Sequence, residues 1–137
     1  MKPALMTRAC MLAIGLMGLS GAALAEDLYG YDLPKRRPDI MKAYQAIMPP
    51  EMRKIGWLYK FDGTSDPVVH KLVGREDFLS IWVCKPHDCD NAVAVLARPD
   101  ASRVVAEVKM PNENEGQGQY FGNPNDAETE ALDARLQ

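Results

Sequence analysis

The sequence is poor in the features that mark several common classes of protein. It has no basic excess: 16 Lys and Arg stand against 19 Asp and Glu, a formal net charge of −3. A nucleic-acid partner therefore has no electrostatic support from the chain as a whole. It has only 2 histidines and 3 cysteines, and no Cys-x-x-Cys spacing, which disfavours a thioredoxin-like redox centre. Its one long apolar run, Ala9 to Leu19, is well short of the ~20 residues a membrane span needs. No internal repeat or domain boundary stands out. At 137 residues it has no room for two full-sized domains, since one usually takes roughly 100–200 residues. What is present is ordinary globular composition, 47% hydrophobic and 26% charged, which excludes a disordered tail, a collagen, a coiled coil and a multi-span membrane protein.

The first residues change this arithmetic. Lys2 and Arg8 give a positive start, Ala9 to Leu19 is apolar, and Ser20-Gly21-Ala22-Ala23-Leu24-Ala25 supplies small residues. That three-part pattern predicts a secretory signal peptide over residues 1–25. Cys10 lies early in the apolar core and not after a small-residue box, so a lipidated cysteine is not expected. Cleavage after Ala25 would leave a single domain of 112 residues, 26–137, with a net charge of −5 and two cysteines, Cys84 and Cys89. An even count in an exported chain favours a disulfide.

Along the rest of the chain, Glu26 to Pro38 is polar and reads as a loosely packed lead-in, with Lys35-Arg36-Arg37 as a solvated surface. Ile40, Met41, Tyr44, Ile47 and Met48 share one helical face, and Pro38 and Pro49-Pro50 bound that helix. Glu51 to Lys54 suits a short helical turn. Ile55 to Phe61, with aromatics at alternate positions, reads as extended, and Asp62 to Pro67 as a turn. Strands are predicted over Val68–Val73, Phe78–Cys84, Asn91–Ala97 and Arg103–Met110. The second is apolar on both faces and should be central; the last should be half-exposed, with Val105, Glu107 and Lys109 outward. Pro111 to Gln119 reads as a mobile loop. Tyr120-Phe121-Gly122 is a short anchor. Asn125 followed by Glu128 gives a capping-box spacing for a last helix that carries Leu132 and Leu136. The pattern implies an α+β domain around an antiparallel sheet of about five strands.

One segment carries chemical information: Val83-Cys84-Lys85-Pro86-His87-Asp88-Cys89-Asp90. A bridge between its cysteines would close a small ring between two strands, worth roughly 2 kcal/mol less any strain. Pro86 fixes a φ angle and biases Lys85 towards extended geometry, so His87 would sit at the tip with little freedom left to lose on docking. Three readings compete. The segment could be a strained hairpin whose His87 is merely exposed. It could be a metal site, although Cys-x4-Cys is not a common zinc spacing and His70, the other histidine, falls in a predicted strand. It could be a docking loop that offers an imidazole to a partner's cleft.

Cys84-Lys85-Pro86-His87-Asp88-Cys89 is similar to the CKPHDC signature of the inhibitor of vertebrate lysozyme family (Ivy) of Gram-negative bacteria. Gly63-Thr64-Ser65-Asp66-Pro67 resembles the family's Gly-Thr-x-x-Pro turn, and Tyr120-Phe121-Gly122-Asn123-Pro124 resembles its aromatic-Leu-Gly-Asn-Pro stretch. The resemblance implies an antiparallel sheet with helices packed on it and a protruding loop closed by Cys84–Cys89. That loop would enter the active-site cleft of c-type lysozyme. His87 would be the inserted residue, Pro86 would shape the turn, Asp88 would orient the loop or the imidazole, and Lys85 would add a rim contact.

These readings together lead to the expectation of a periplasmic protein inhibitor of c-type lysozyme. It would not itself be an enzyme, and it would use no metal or other cofactor, bind no nucleic acid and have no membrane attachment after signal cleavage. The alternative is a periplasmic regulator that restrains the cell's own lytic transglycosylases. The family resemblance also allows a homodimer. No nucleophile motif and no pair of carboxylates in a cleft-like setting points to catalysis; Asp88 and Asp90 read as solvated.

Overall fold

The computed structural model describes residues 27–137; the expected signal segment, 1–25, lies outside the described residues. The fold is α+β. Its sheet has six antiparallel strands: β1 (Thr64–Ser65), β2 (Val69–Val73), β3 (Glu76–Lys85), β4 (Asp88–Ala97), β5 (Val104–Lys109) and β6 (Gln119–Phe121). The two longest, β3 and β4, run side by side from Leu79↔Ala97 to Cys84↔Ala92. On its other edge β3 holds β2 along its first half and β1 at its far end, at Val83 and Cys84. Two short strands, β1 and β6, lie beyond the four that the sequence pattern names.

Alternation along the strands sorts side chains to two covered faces. Ile81 and Val83 of β3, Val93 and Val95 of β4, and Ala106 and Val108 of β5 share the main core with a helical layer. That layer comprises α1 (Leu33–Arg36), α2 (Pro38–Ile47), a 3-10 turn at Met52–Lys54, and α3 (Gly56–Lys60). Pro38 sits in the first turn of α2, where a missing N–H loses nothing. Ile40, Met41 and Tyr44 point from α2 into the core. Tyr44 packs on Phe61 with ring centroids 4.5 Å apart and planes tilted by 43°, and satisfies its hydroxyl by donating to the Leu58 carbonyl at 2.7 Å. On the opposite face Phe78, Ala94, Leu96 and Val105 pack under Ala131 and Leu132 of α5 (Asp126–Arg135).

Four expectations from the sequence are corrected. The lead-in is packed: Leu33 is fully buried, and Gly30 lies so close to Val83 and Ser65 that a Cβ there would collide with both. Two leucines anchor the segment: Leu33 within the core and Leu28 packed against it. Within Ile55 to Phe61, Gly56–Lys60 is helical, with Ile55 and Phe61 as its caps. The alternating aromatics imitate a strand, but Ile55, Leu58 and Phe61 recur at the helical three-residue step, and all three pack into the core. Strand β5 is enclosed on both faces, with Val105 and Glu107 buried under α5. Where an open loop is expected from Pro111 to Gln119, Pro111–Asn114 forms a helical turn, α4. The Asn114 side chain accepts from the Met110 N–H at 3.0 Å and donates to the Val108 carbonyl at 3.3 Å.

The expected cap of the last helix is present in full. The Asn125 side chain accepts from the Glu128 N–H at 2.8 Å, and the Glu128 carboxylate accepts from the Asn125 N–H at 2.9 Å. Glu128 is only 2% exposed, and Arg103 grips its carboxylate with two bonds of 2.6 and 2.7 Å. That pairing holds the Glu128 carboxyl below its ordinary pKa. Arg103→Ala would leave a buried carboxylate without its cation. It is expected to lower unfolding stability by about 2–3 kcal/mol in urea titrations, with Arg103→Lys recovering only part because an ammonium cannot bond both oxygens at once. A loss below 0.5 kcal/mol for the alanine variant would mean that the pair does not hold α5.

Candidate functional site

The Cys84–Cys89 disulfide closes the turn between β3 and β4, with the two Cα atoms 4.9 Å apart. Cys84, at the inner end, is fully buried. It pairs with Thr64 on one side and Ala92 on the other. Gly63 packs on its carbonyl so tightly that a Cβ at 63 would overlap the Cys84 oxygen. The root of the hairpin is thus braced by both neighbouring strands and by the turn before β1.

Beyond Cys84 the ladder breaks. Lys85 pairs with Asp88, although Cys84 pairs with Ala92. Cys89, Asp90 and Asn91 therefore bulge from the returning limb without partners on β3. The disulfide ties this bulge to the buried strand end. At the tip, Pro86 and His87 form the two-residue turn, and His87 has φ +63°. A proline followed by a residue of positive φ is the order of a type II turn. In that turn the second central position favours glycine or asparagine, so histidine there carries strain of roughly 1–2 kcal/mol.

The four site residues read from the sequence are brought together at this tip. Lys85, Pro86 and His87 are exposed and Asp88 is half-buried. The Asp88 carboxylate accepts from the Asn91 amide at 2.9 Å and lies 4.0 Å from the Lys85 ammonium. It therefore orients the loop and not the imidazole. The Lys85 pair is solvent-exposed and adds little stability. His87 is exposed and forms no hydrogen bond among the described residues. His70 lies away from this group, on β2, 3.2 Å from Asp77. Among the described residues, no group of three or more Cys, His, Asp and Glu is placed to hold a metal ion. On the α5 side of the hairpin root a cavity of about 330 Å³ is lined by Trp82, Cys89, Asp90, Lys109 and Arg135.

The sequence reading missed a second polar cluster. Glu107 points under α5 and is 1% exposed. Its Oε2 has no hydrogen-bond partner, and Lys109 lies 3.9 Å from its other oxygen. Burial and the neighbouring Asp133 carboxylate push the Glu107 carboxyl up to about 7. The Tyr120 hydroxyl donates to the same Asp133, and its pKa is pushed up to about 12 by that bond. Only the alternation of Val104, Ala106 and Val108 against Val105 and Glu107 was legible, and it placed Glu107 in solvent. The carboxylate that changes its chemistry sits on α5.

Folded, Glu107 keeps its proton to about pH 7, against an ordinary value of 4.5. The folded chain binds more protons across that window, so stability is greatest below it and falls as pH rises through it. The loss is on the order of 2–3 kcal/mol. Thermal melts of the wild type from pH 4.5 to 8 are expected to show a falling Tm, and Glu107→Gln is expected to flatten the slope. Parallel slopes in the two proteins would exclude Glu107 as the group responsible.

No protein-family model matches the chain, and no curated protein does either.

Proposed function

We propose that this protein is a non-enzymatic, periplasmic inhibitor of c-type lysozyme, acting by inserting the Cys84–Cys89 hairpin into the enzyme's active-site cleft. One observation carries the reading: an otherwise unengaged imidazole, His87, is displayed at the tip of a hairpin whose root is fixed by a disulfide and two flanking strands. The motif around it resembles the family signature letter for letter.

The chemistry suits that role. A retaining glycosidase of this type holds two carboxyl groups across the scissile bond, one protonated as the acid and one ionised. A neutral imidazole has one donor and one acceptor nitrogen, so it can accept from the protonated carboxyl and donate to the ionised one. Protonated, it would be favoured by the nearby negative charge. Inhibition would be competitive and non-covalent and would need no cofactor. Pro86 and the disulfide have already restricted the tip, so little entropy is lost on insertion. Asp88 holds the turn, and Lys85 lies at its rim. A disulfide that bears on function is compatible with an oxidising compartment, as the expected export signal would require.

Lysis of a bacterial cell-wall suspension by a c-type lysozyme is the direct test. The wild type is expected to inhibit. His87→Ala is expected to weaken inhibition by roughly 30-fold or more, the loss typical of a central contact residue. His87→Asn separates ring from backbone, because asparagine tolerates positive φ; it is expected to fold as well as the wild type and to inhibit as poorly as the alanine variant. Absence of inhibition by the wild type would overturn the reading and make the cell's own lytic transglycosylases the next enzymes to assay. Equal inhibition by all three proteins would overturn the His87 mechanism.

A further inference from the structure

The helical layer has a charge that the loop does not use. Residues 35–60 hold seven cations and two anions, whereas the rest of the described chain holds seven cations and sixteen anions. Three of the arginines in this stretch are engaged locally: Arg36 with the Asp27 carbonyl, Arg37 with Asp39 and the Pro99 carbonyl, and Arg53 with the Met48 carbonyl. The lysines at 35, 42, 54 and 60 form no ion pair among the described residues, and all four are exposed.

Two of these lysines flank a cavity of about 490 Å³ between the lead-in, α2 and the end of α3. Lys42 and Lys60 stand at its edge, with Tyr31, Gln45 and Asp62 as its other polar groups and Pro34, Pro38 and Met41 as its apolar surface. Tyr31 is 50% exposed, yet it is held in place. Its ring stacks on Tyr29 at 5.2 Å with planes only 9° apart, and its N–H donates to Ser65 Oγ at 3.2 Å. The Gln45 amide nitrogen donates to the Tyr59 carbonyl at 3.0 Å, which fixes the amide and leaves its oxygen to accept.

We propose that this cleft is a binding site for an anionic sugar, a saccharide that carries a carboxylate or similar acid. A preorganised aromatic ring takes the apolar face of a sugar, as amphipathic aromatics do at sites that are part apolar and part wet. The Gln45 oxygen and the Asp62 carboxylate accept from its hydroxyls. Lys42 and Lys60 pair with its acid group. The volume fits one or two sugar rings, within the range of ordinary ligand clefts. An acidic peptide would use the lysines but would have no need of a fixed ring beside hydroxyl acceptors. The site is independent of the hairpin's role.

Titration calorimetry of the purified protein tests this with three probes: a glucuronic-acid-containing tetrasaccharide, the matching neutral tetrasaccharide, and tetraglutamate. The charged sugar is expected to bind at least tenfold more tightly than either of the others. Tyr31→Ala and the double variant Lys42→Gln/Lys60→Gln are each expected to weaken it at least tenfold, with Tyr31→Phe close to wild type. All these side chains lie at the surface, and circular dichroism checks that the variants fold. His87→Asn is expected to leave this binding unchanged. Tetraglutamate binding as tightly as the charged sugar would reduce the site to its charge and overturn the proposal. Equal binding of the neutral sugar, or no binding of the charged one, would overturn it too.

Discussion

Strand β3 has neighbours on both edges at Val83 and Cys84, and side chains buried on both faces from Phe78 to Val83. A slip of one residue in such a strand would exchange its two faces, moving Ile81 and Val83 out of the main core and Phe78 out from under α5. Register is therefore fixed twice over. Cys84 is the last residue of this enclosed run, and everything beyond it inherits its position. The two-residue β1 matters for the same reason: it contributes little to the sheet, but it covers the edge of β3 where the hairpin begins. Gly63 is required there because no side chain fits against the Cys84 carbonyl.

The tip is built the opposite way. Its ladder is broken, its side chains are exposed, and His87 occupies a conformation that histidine does not favour. The magnitudes are comparable: strain of roughly 1–2 kcal/mol at a left-handed histidine against roughly 2 kcal/mol from closing a ring this short. The bridge offsets the strain without leaving a large surplus, so its chief effect is on shape. It keeps the bulged limb, Cys89 to Asn91, against a strand that no longer pairs with it. A rigid root with a strained, exposed tip is how a small domain can present one side chain in one orientation.

Features set by near neighbours in sequence were legible: the apolar face of α2 bounded by prolines, the two-sided burial of β3, the reciprocal cap of Asn125 and Glu128, and the two cysteines around Pro86-His87. Features set by distant partners were not. Trp57, Tyr59 and Phe61 alternate as a strand would, and only the core that receives Leu58 and Phe61 selects the helix. The lead-in reads as polar and loosely packed, yet the core has a place for Leu33 and packs against Leu28. Glu107 looked like an outward residue until α5 covered it with a second carboxylate. Of the candidate site, the residues and their closeness could be read. The positive φ at His87 could not, because neither histidine nor its neighbours demand it.

The same dependence on placement applies to charge. A net value near −5 for the chain after residue 25 suggests attraction to any basic partner. In physiological salt, however, exposed charges act over only about 8 Å, so a partner meets the local field and not the total. The helical layer is basic, α5 is acidic, and the hairpin lies between them with Lys85, Asp88 and Asp90 as its own charges. A basic protein approaching the hairpin meets Asp88 and Asp90 as attractive charges and Lys85 as a repulsive one. Charge of this kind orients an encounter more than it strengthens the complex. If both proposals hold, the two sides of the sheet serve different partners, a cationic protein on one and an anionic ligand on the other. The net charge hides both.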